Sequence, residues 1–158
     1  MIASWVPDAA ACLRWAGPRV PFPFASDELP TLLSATDGKS YCLAVGEGVP
    51  YGFGQHFASQ PSAVHLGRII VSPAARGHGF GRQLCQKLIE QAFQTTGANA
   101  VTLRVYRDNP TALALYSSLG FSPVEAESTA EVFFMKMQAN SSIERTPGEP
   151  GAACCLKP

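Results

Sequence analysis

The run Leu66-Gly-Arg-Ile-Ile-Val-Ser-Pro-Ala-Ala-Arg-Gly-His-Gly-Phe-Gly-Arg82 constrains the fold most, because it passes from an apolar segment through a glycine-rich turn straight into an amphipathic helix. Val64 to Val71 has the β-branched, apolar character of a largely buried strand, and Ser72-Pro73 closes it, since proline cannot donate to a ladder. Gly77, Gly79 and Gly81 follow at alternate positions, where the absence of Cβ lets the backbone take φ > 0 and approach a ligand closely. From Arg82 the residues Leu84, Cys85, Leu88, Ile89, Ala92 and Phe93 recur in pairs at helical spacing, one stripe facing a core, and the opposite face is wholly polar. A helix that opens on such a turn presents unpaired N–H groups and the positive end of its dipole. A phosphate or pyrophosphate is the expected guest.

Two common phosphate binders do not fit. A Walker loop requires Gly-Lys-Ser/Thr where this chain has Gly81-Arg82-Gln83, and a dinucleotide fingerprint requires a different glycine spacing and an acid downstream, which residues 95–105 lack. What remains is Arg-x-x-Gly-x-Gly, filled by Arg76, Gly79 and Gly81 and preceded by Val71-x-Pro73. This pattern resembles motif A of the GCN5-related N-acetyltransferases (GNAT), set against the plain alternative of a strand-to-helix turn with no ligand. A second stretch, Asn109-Pro-Thr-Ala-Leu-Ala-Leu-Tyr116-Ser-Ser-Leu-Gly-Phe121, is similar to a further motif of that family, with Asn109, Ala112, Tyr116, Gly120 and Phe121 in register. Together the two cover Val64 to Phe121.

The resemblance implies a single α/β (α+β) domain over residues 1–138, with a mixed, mostly antiparallel sheet of six to seven strands flanked by about four helices. It implies acetyl-CoA as the coenzyme and acetyl transfer to a primary amine in a ternary complex, the acceptor being a protein N-terminus, a lysine or a small-molecule amine. The diphosphate would lie on Arg76, Gly77, His78, Gly79, Phe80, Gly81 and Arg82. Asn109, Ala112 and Tyr116 would also touch the coenzyme, and a backbone N–H near Ile70 or Val71 would face the thioester oxygen. Tyr116 would protonate the departing thiolate, the alternative being a core tyrosine bonded to backbone. Counting back from Arg76 reaches His65 where histone acetyltransferases of the superfamily carry a glutamate, so His65 leads as general base and His56 stands second, each also readable as an ordinary sheet histidine. The absence of an acid from Val64 to Val71 keeps open a catalytically silent acetyl-CoA sensor of the same fold. A homodimer is among the assemblies the family uses.

Composition narrows the partners. Twelve basic and twelve acidic side chains cancel with no basic run, which implies neither nucleic acid nor an anionic membrane as partner. No apolar run reaches the roughly 20 residues of a membrane helix, so a soluble cytoplasmic protein is expected. The five cysteines show no metal-ligand spacing and no metal is expected; Cys42 and Cys85 read as small core residues. The segments expected to line an acceptor site, residues 5–35 and the final hairpin, hold few acids, which argues against a polycationic acceptor.

Along the chain, Met1 to Trp5 predicts a short strand, Ala9 to Ala16 a helix ended by Gly17-Pro18, and the proline-dense Arg19 to Ser26 an irregular loop. A second helix should run to Ser34. Ser40 to Val45 and Val49 to Phe57 predict a hairpin, with Gly52 and Gly54 marking a bulge or a close ligand approach. Ala100 to Val105 alternates as a strand, Asn109-Pro110 caps a helix to Leu119, and Phe121–Glu127 and Glu131–Met137 predict two closing strands. Residues 139–158 lose all apolar periodicity and are expected to be a disordered tail.

Overall fold

The structure, a computed structural model, describes residues 1–34, 38–44, 48–60, 62–139 and 153–154. Among the described residues four α-helices are formed: α1 Ala9–Ala16, α2 Leu29–Ser34, α3 Phe80–Thr96 and α4 Pro110–Ser118. The strands are β1 Lys39–Leu43, β2 Gly52–Gln60, β3 Ala63–Val71, β4 Ala100–Tyr106, β5 Ser122–Pro123, β6 Val132–Gln138 and β7 Ala153–Cys154. They make one sheet in the order β5-β6-β4-β3-β2-β1-β7. Only β3 and β4 run parallel, because α3 carries the chain across the sheet between them; every other pair is antiparallel.

Helices cover both faces. On one, Leu84, Cys85, Leu88, Ile89 and Ala92 of α3 pack on Val64, Leu66, Val101, Leu103 and Met135, with Tyr116 of α4 and Phe121 just beyond that helix closing the cluster. On the other, Trp5, Cys12, Leu29 and Leu33 cover Cys42 and Phe53. Gly52 and Gly54 sit where α3 comes down on β2: a Cβ at Gly54 would stand 2.5 Å from Leu88 Cδ1 and one at Gly52 3.2 Å from Leu84 Cδ2. The close approach the glycines signal is therefore that of a helix, not of a ligand.

The expected bulge lies on the neighbouring strand. Phe53 pairs with Ile70 but Gln55 with Gly67, so β3 carries one extra residue opposite Gly54, and Arg68 there adopts φ 54°. The bulge bends β3, and its consequence is the wedge on which the site depends. β3 pairs with β4 only from Ala63↔Ala100 to Leu66↔Leu103, after which β3 follows β2, whereas β4 stays paired with β6 as far as Tyr106↔Val132.

Four expectations are corrected. Ile2–Trp5 is a 3-10 turn, because Ile2 and Trp5 are both buried in one cluster and three-residue spacing puts them on one side, where strand alternation would separate them. β2 begins at Gly52, since Pro50 lacks a donor and Val49 is exposed. Of Phe121–Glu127 only Ser122–Pro123 pairs, while Phe121 turns into the core against Tyr116 and Glu125–Glu127 form a 3-10 turn. α3 begins at Phe80, two residues before Arg82, because Gly79 serves as its N-cap. Residues 45–47, within the connection of the expected hairpin, and most of the tail lie outside the described residues.

Candidate active site

The glycine loop has the predicted left-handed backbone at two of its three glycines, whereas Gly81 lies in the first turn of α3 with no left-handed φ. Gly77 and Gly79 take φ 80° and 81°, the left-handed region that penalises a Cβ, and a Cβ at either would meet nothing within 4 Å. Among the described residues no acceptor is present for the amides of residues 77–81, while Arg82 and Gln83 begin the helical ladder on the Gly79 carbonyl. A row of unspent N–H groups with open space before it, at the positive end of a seventeen-residue helix, is a cradle for an anion. Arg76 and Arg82 flank it: Arg76 Nε donates to Val71 O at 3.3 Å and Arg82 Nη2 to Ser118 Oγ at 2.7 Å. His78 Nδ1 donates back to Arg76 O at 2.8 Å, and the Phe80 ring packs 4.2 Å from that of Tyr51.

Beyond the loop, Ser72 N–H reaches Tyr51 O at 2.9 Å. By antiparallel alternation Ile70 directs its amide into the ladder with Phe53, and Val71 turns its N–H and C=O toward the wedge. Of the two expected donors Val71 faces the gap and Ile70 does not. Asn109 caps α4, its Oδ1 accepting from Ala112 N at 3.1 Å, which places Ala112 in the first turn. α4 lies beside the loop, since a Cβ at Gly81 would stand 3.7 Å from Leu115 Cδ2.

Tyr116 is 8% exposed, and among the described residues nothing bonds its hydroxyl. A buried hydroxyl without a protein partner is rare. Burial, with a smaller push from Cys85, raises the phenol well above its ordinary range and keeps it protonated. Cys85 itself is pushed up to about 12 by burial, so it holds no thiolate and is no nucleophile.

On the opposite face, where the wedge opens, a cleft of about 850 Å³ is bounded by the end of α1, by Phe57, and by Gly67, Arg68, Arg104 and Tyr106 on the two parting strands. His65 lines it. Thr102 Oγ1 lies 2.9 Å from His65 Nδ1 and 3.5 Å from Val64 O; in the tautomer that carries its proton on Nδ1 the imidazole lone pair stands on Nε2. Burial and then the Arg104 charge push its pKa down to about 4. His56 lies under α3, bonded to Tyr41 at 2.9 Å, and does not line this cleft, so the second candidate base is removed from the acceptor side.

Sequence reasoning missed Arg68. Its carbonyl accepts from Trp15 Nε1 at 2.7 Å, and its Nη1 donates to Gln55 Oε1 at 2.7 Å and Leu33 O at 3.1 Å, so one bulged residue ties α1, α2 and β2 together. A lone charge inside an apolar strand was the available signal.

The model of the acetyltransferase (GNAT) family matches residues 8–121, and the chain belongs to that family. N-alpha-acetyltransferase RimI of Mycobacterium tuberculosis is 41% identical over 64 residues, 40% of this chain and 38% of that one. Spermidine N(1)-acetyltransferase of Vibrio cholerae is 34% identical over 68 residues, 43% of this chain and 38% of that one. The chain spans less than half the length of these curated relatives. In fold it is similar to the crystal structure of spermidine N-acetyltransferase from Vibrio cholerae in complex with CoA and spermine, with a TM-score of 0.69 and 18% identity over 87% of this chain and 88% of that one.

Proposed function

We propose that the chain is an acetyl-CoA-dependent N-acetyltransferase acting on a primary amine by direct transfer in a ternary complex. The observation that carries this reading is the buried Tyr116 hydroxyl left without a partner beside a helix that opens on unspent amides. Bound there, the coenzyme supplies the acyl group as a thioester.

The chain's own groups divide the work. The amides of residues 77–81, with Arg76 and Arg82, bind and orient the diphosphate. Val71 N–H, aimed into the wedge, stabilises the carbonyl oxygen as charge develops on it. Tyr116 delivers a proton to the departing sulfur, a task that a phenol held protonated performs at neutral pH. His65 offers Nε2 to the amine from the other side of the sheet; being a weak base, it passes the proton on to water in the open cleft instead of retaining it.

The test is thiol release from acetyl-CoA across a panel of primary amines, with Tyr116→Phe as control. At least one amine should raise the rate above hydrolysis, and the variant should lose about 100-fold in kcat with coenzyme affinity unchanged. Tight coenzyme binding without transfer to any amine would instead identify a sensor module.

A further inference from the structure

The cleft on the acceptor side has one sign of charge. Arg14, Arg19, Arg68 and Arg104 line it, and no aspartate or glutamate does. Arg14 is accounted for by Asp108, whose Oδ2 accepts from Nη1 at 3.1 Å, but the other three have no carboxylate partner among the described residues. Arg104 lies over the Phe134 ring and, among the described residues, reaches only the Glu127 carbonyl, at 3.5 Å. Arg19 is exposed at the rim and close enough to act on the Arg68 charge.

Arg68 is the decisive group. It is 9% exposed, only its Nη1 is bonded, and Nε and Nη2 have no acceptor among the described residues. Its neighbours, an amide, a carbonyl and the Phe57 ring at 5.5 Å, are all neutral. Taking a guanidinium out of water without a counter-charge is costly, and a second cation nearby adds to the cost. A planar fork of spare donors on the wall of the cleft matches an oxyanion.

We infer that the acceptor is a small amine carrying an oxyanion, a carboxylate or a phosphate, which Arg68, Arg19 and Arg104 hold while the amine lies at the wedge near His65. This rests on the transferase reading above and narrows its substrate. A cleft of about 850 Å³ suits a small molecule. A polyamine would bring more positive charge to three uncompensated arginines.

The experiment compares matched acceptors: amino acids against their carboxamides, phosphoethanolamine against ethanolamine, and spermidine as the polycationic arm. The acids should exceed the neutral partners by about tenfold or more in kcat/KM, the larger ratio naming the oxyanion, and the R19Q/R104Q double variant, which keeps Arg68, should lower that ratio about threefold without abolishing it, with acetyl-CoA affinity unchanged. Equal rates, or preference for spermidine, overturn the inference and leave the transferase reading standing. Calorimetry on the CoA-loaded protein separates the two: N-acetyl amino acids should bind about tenfold more tightly than their carboxamides whether or not transfer occurs, and equal binding overturns the inference.

Discussion

His65 shows how a residue's chemistry follows from what surrounds it. In the unfolded chain its imidazole titrates near pH 6.5, while in the fold burial and Arg104 lower that value to about 4. Between the two the unfolded state binds a proton that the native state refuses, so the stability this residue contributes is present above about pH 6.5 and is lost as pH falls toward 4. The loss is on the order of 3 kcal/mol. Urea midpoints measured from pH 7 to 4.5 should therefore fall less steeply for His65→Asn, which keeps a donor for Thr102, than for the parent. His56, also lowered by burial, contributes in the same direction and leaves a residual slope. The sequence marked both histidines as candidate bases; only strand register puts one on the cleft and the other beneath α3.

The strand–loop–helix element was the most legible part of the chain, because everything that shapes it is local: a proline ends β3, glycines supply left-handed φ, and the α3 stripe follows from spacing. The two ends of α3 separate a structural role from a binding one. Gly79 and Gly97 hold φ 81° and 66° with open space around each, so alanine at either should cost about 1 kcal/mol in stability. Thermal unfolding should show comparable losses for Gly79→Ala and Gly97→Ala. Only Gly79→Ala, which disturbs the row of free amides, should weaken acetyl-CoA, by about tenfold in Kd by calorimetry.

At the scale of the molecule the site depends on a bulge held from three directions. Trp15 of α1, Leu33 of α2 and Gln55 of β2 all bond Arg68, and the bend they hold parts β3 from β4. Trp15→Phe keeps the ring packing against Phe53 but leaves the Arg68 carbonyl without its donor, which should cost about 1–2 kcal/mol. Because α1 also walls the cleft, kcat/KM for the amine should fall while acetyl-CoA affinity stays near that of the parent. Equal losses in both would show that the bulge serves the coenzyme as well.

By itself the sequence determined the helices, the glycine cradle, the Asn109 cap and the family, all of which rest on hydrogen bonds and periodicities between near neighbours in the chain. Tertiary structure alone decided that Arg68 is the bulged residue, that β3 and β4 separate after Leu66 and Leu103, and that Arg19, Arg68 and Arg104 meet around one cleft. Those outcomes follow from strand register and from the packing of α1 and α2 on the sheet, and side chains so far apart in sequence acquire a common environment only when the sheet assembles.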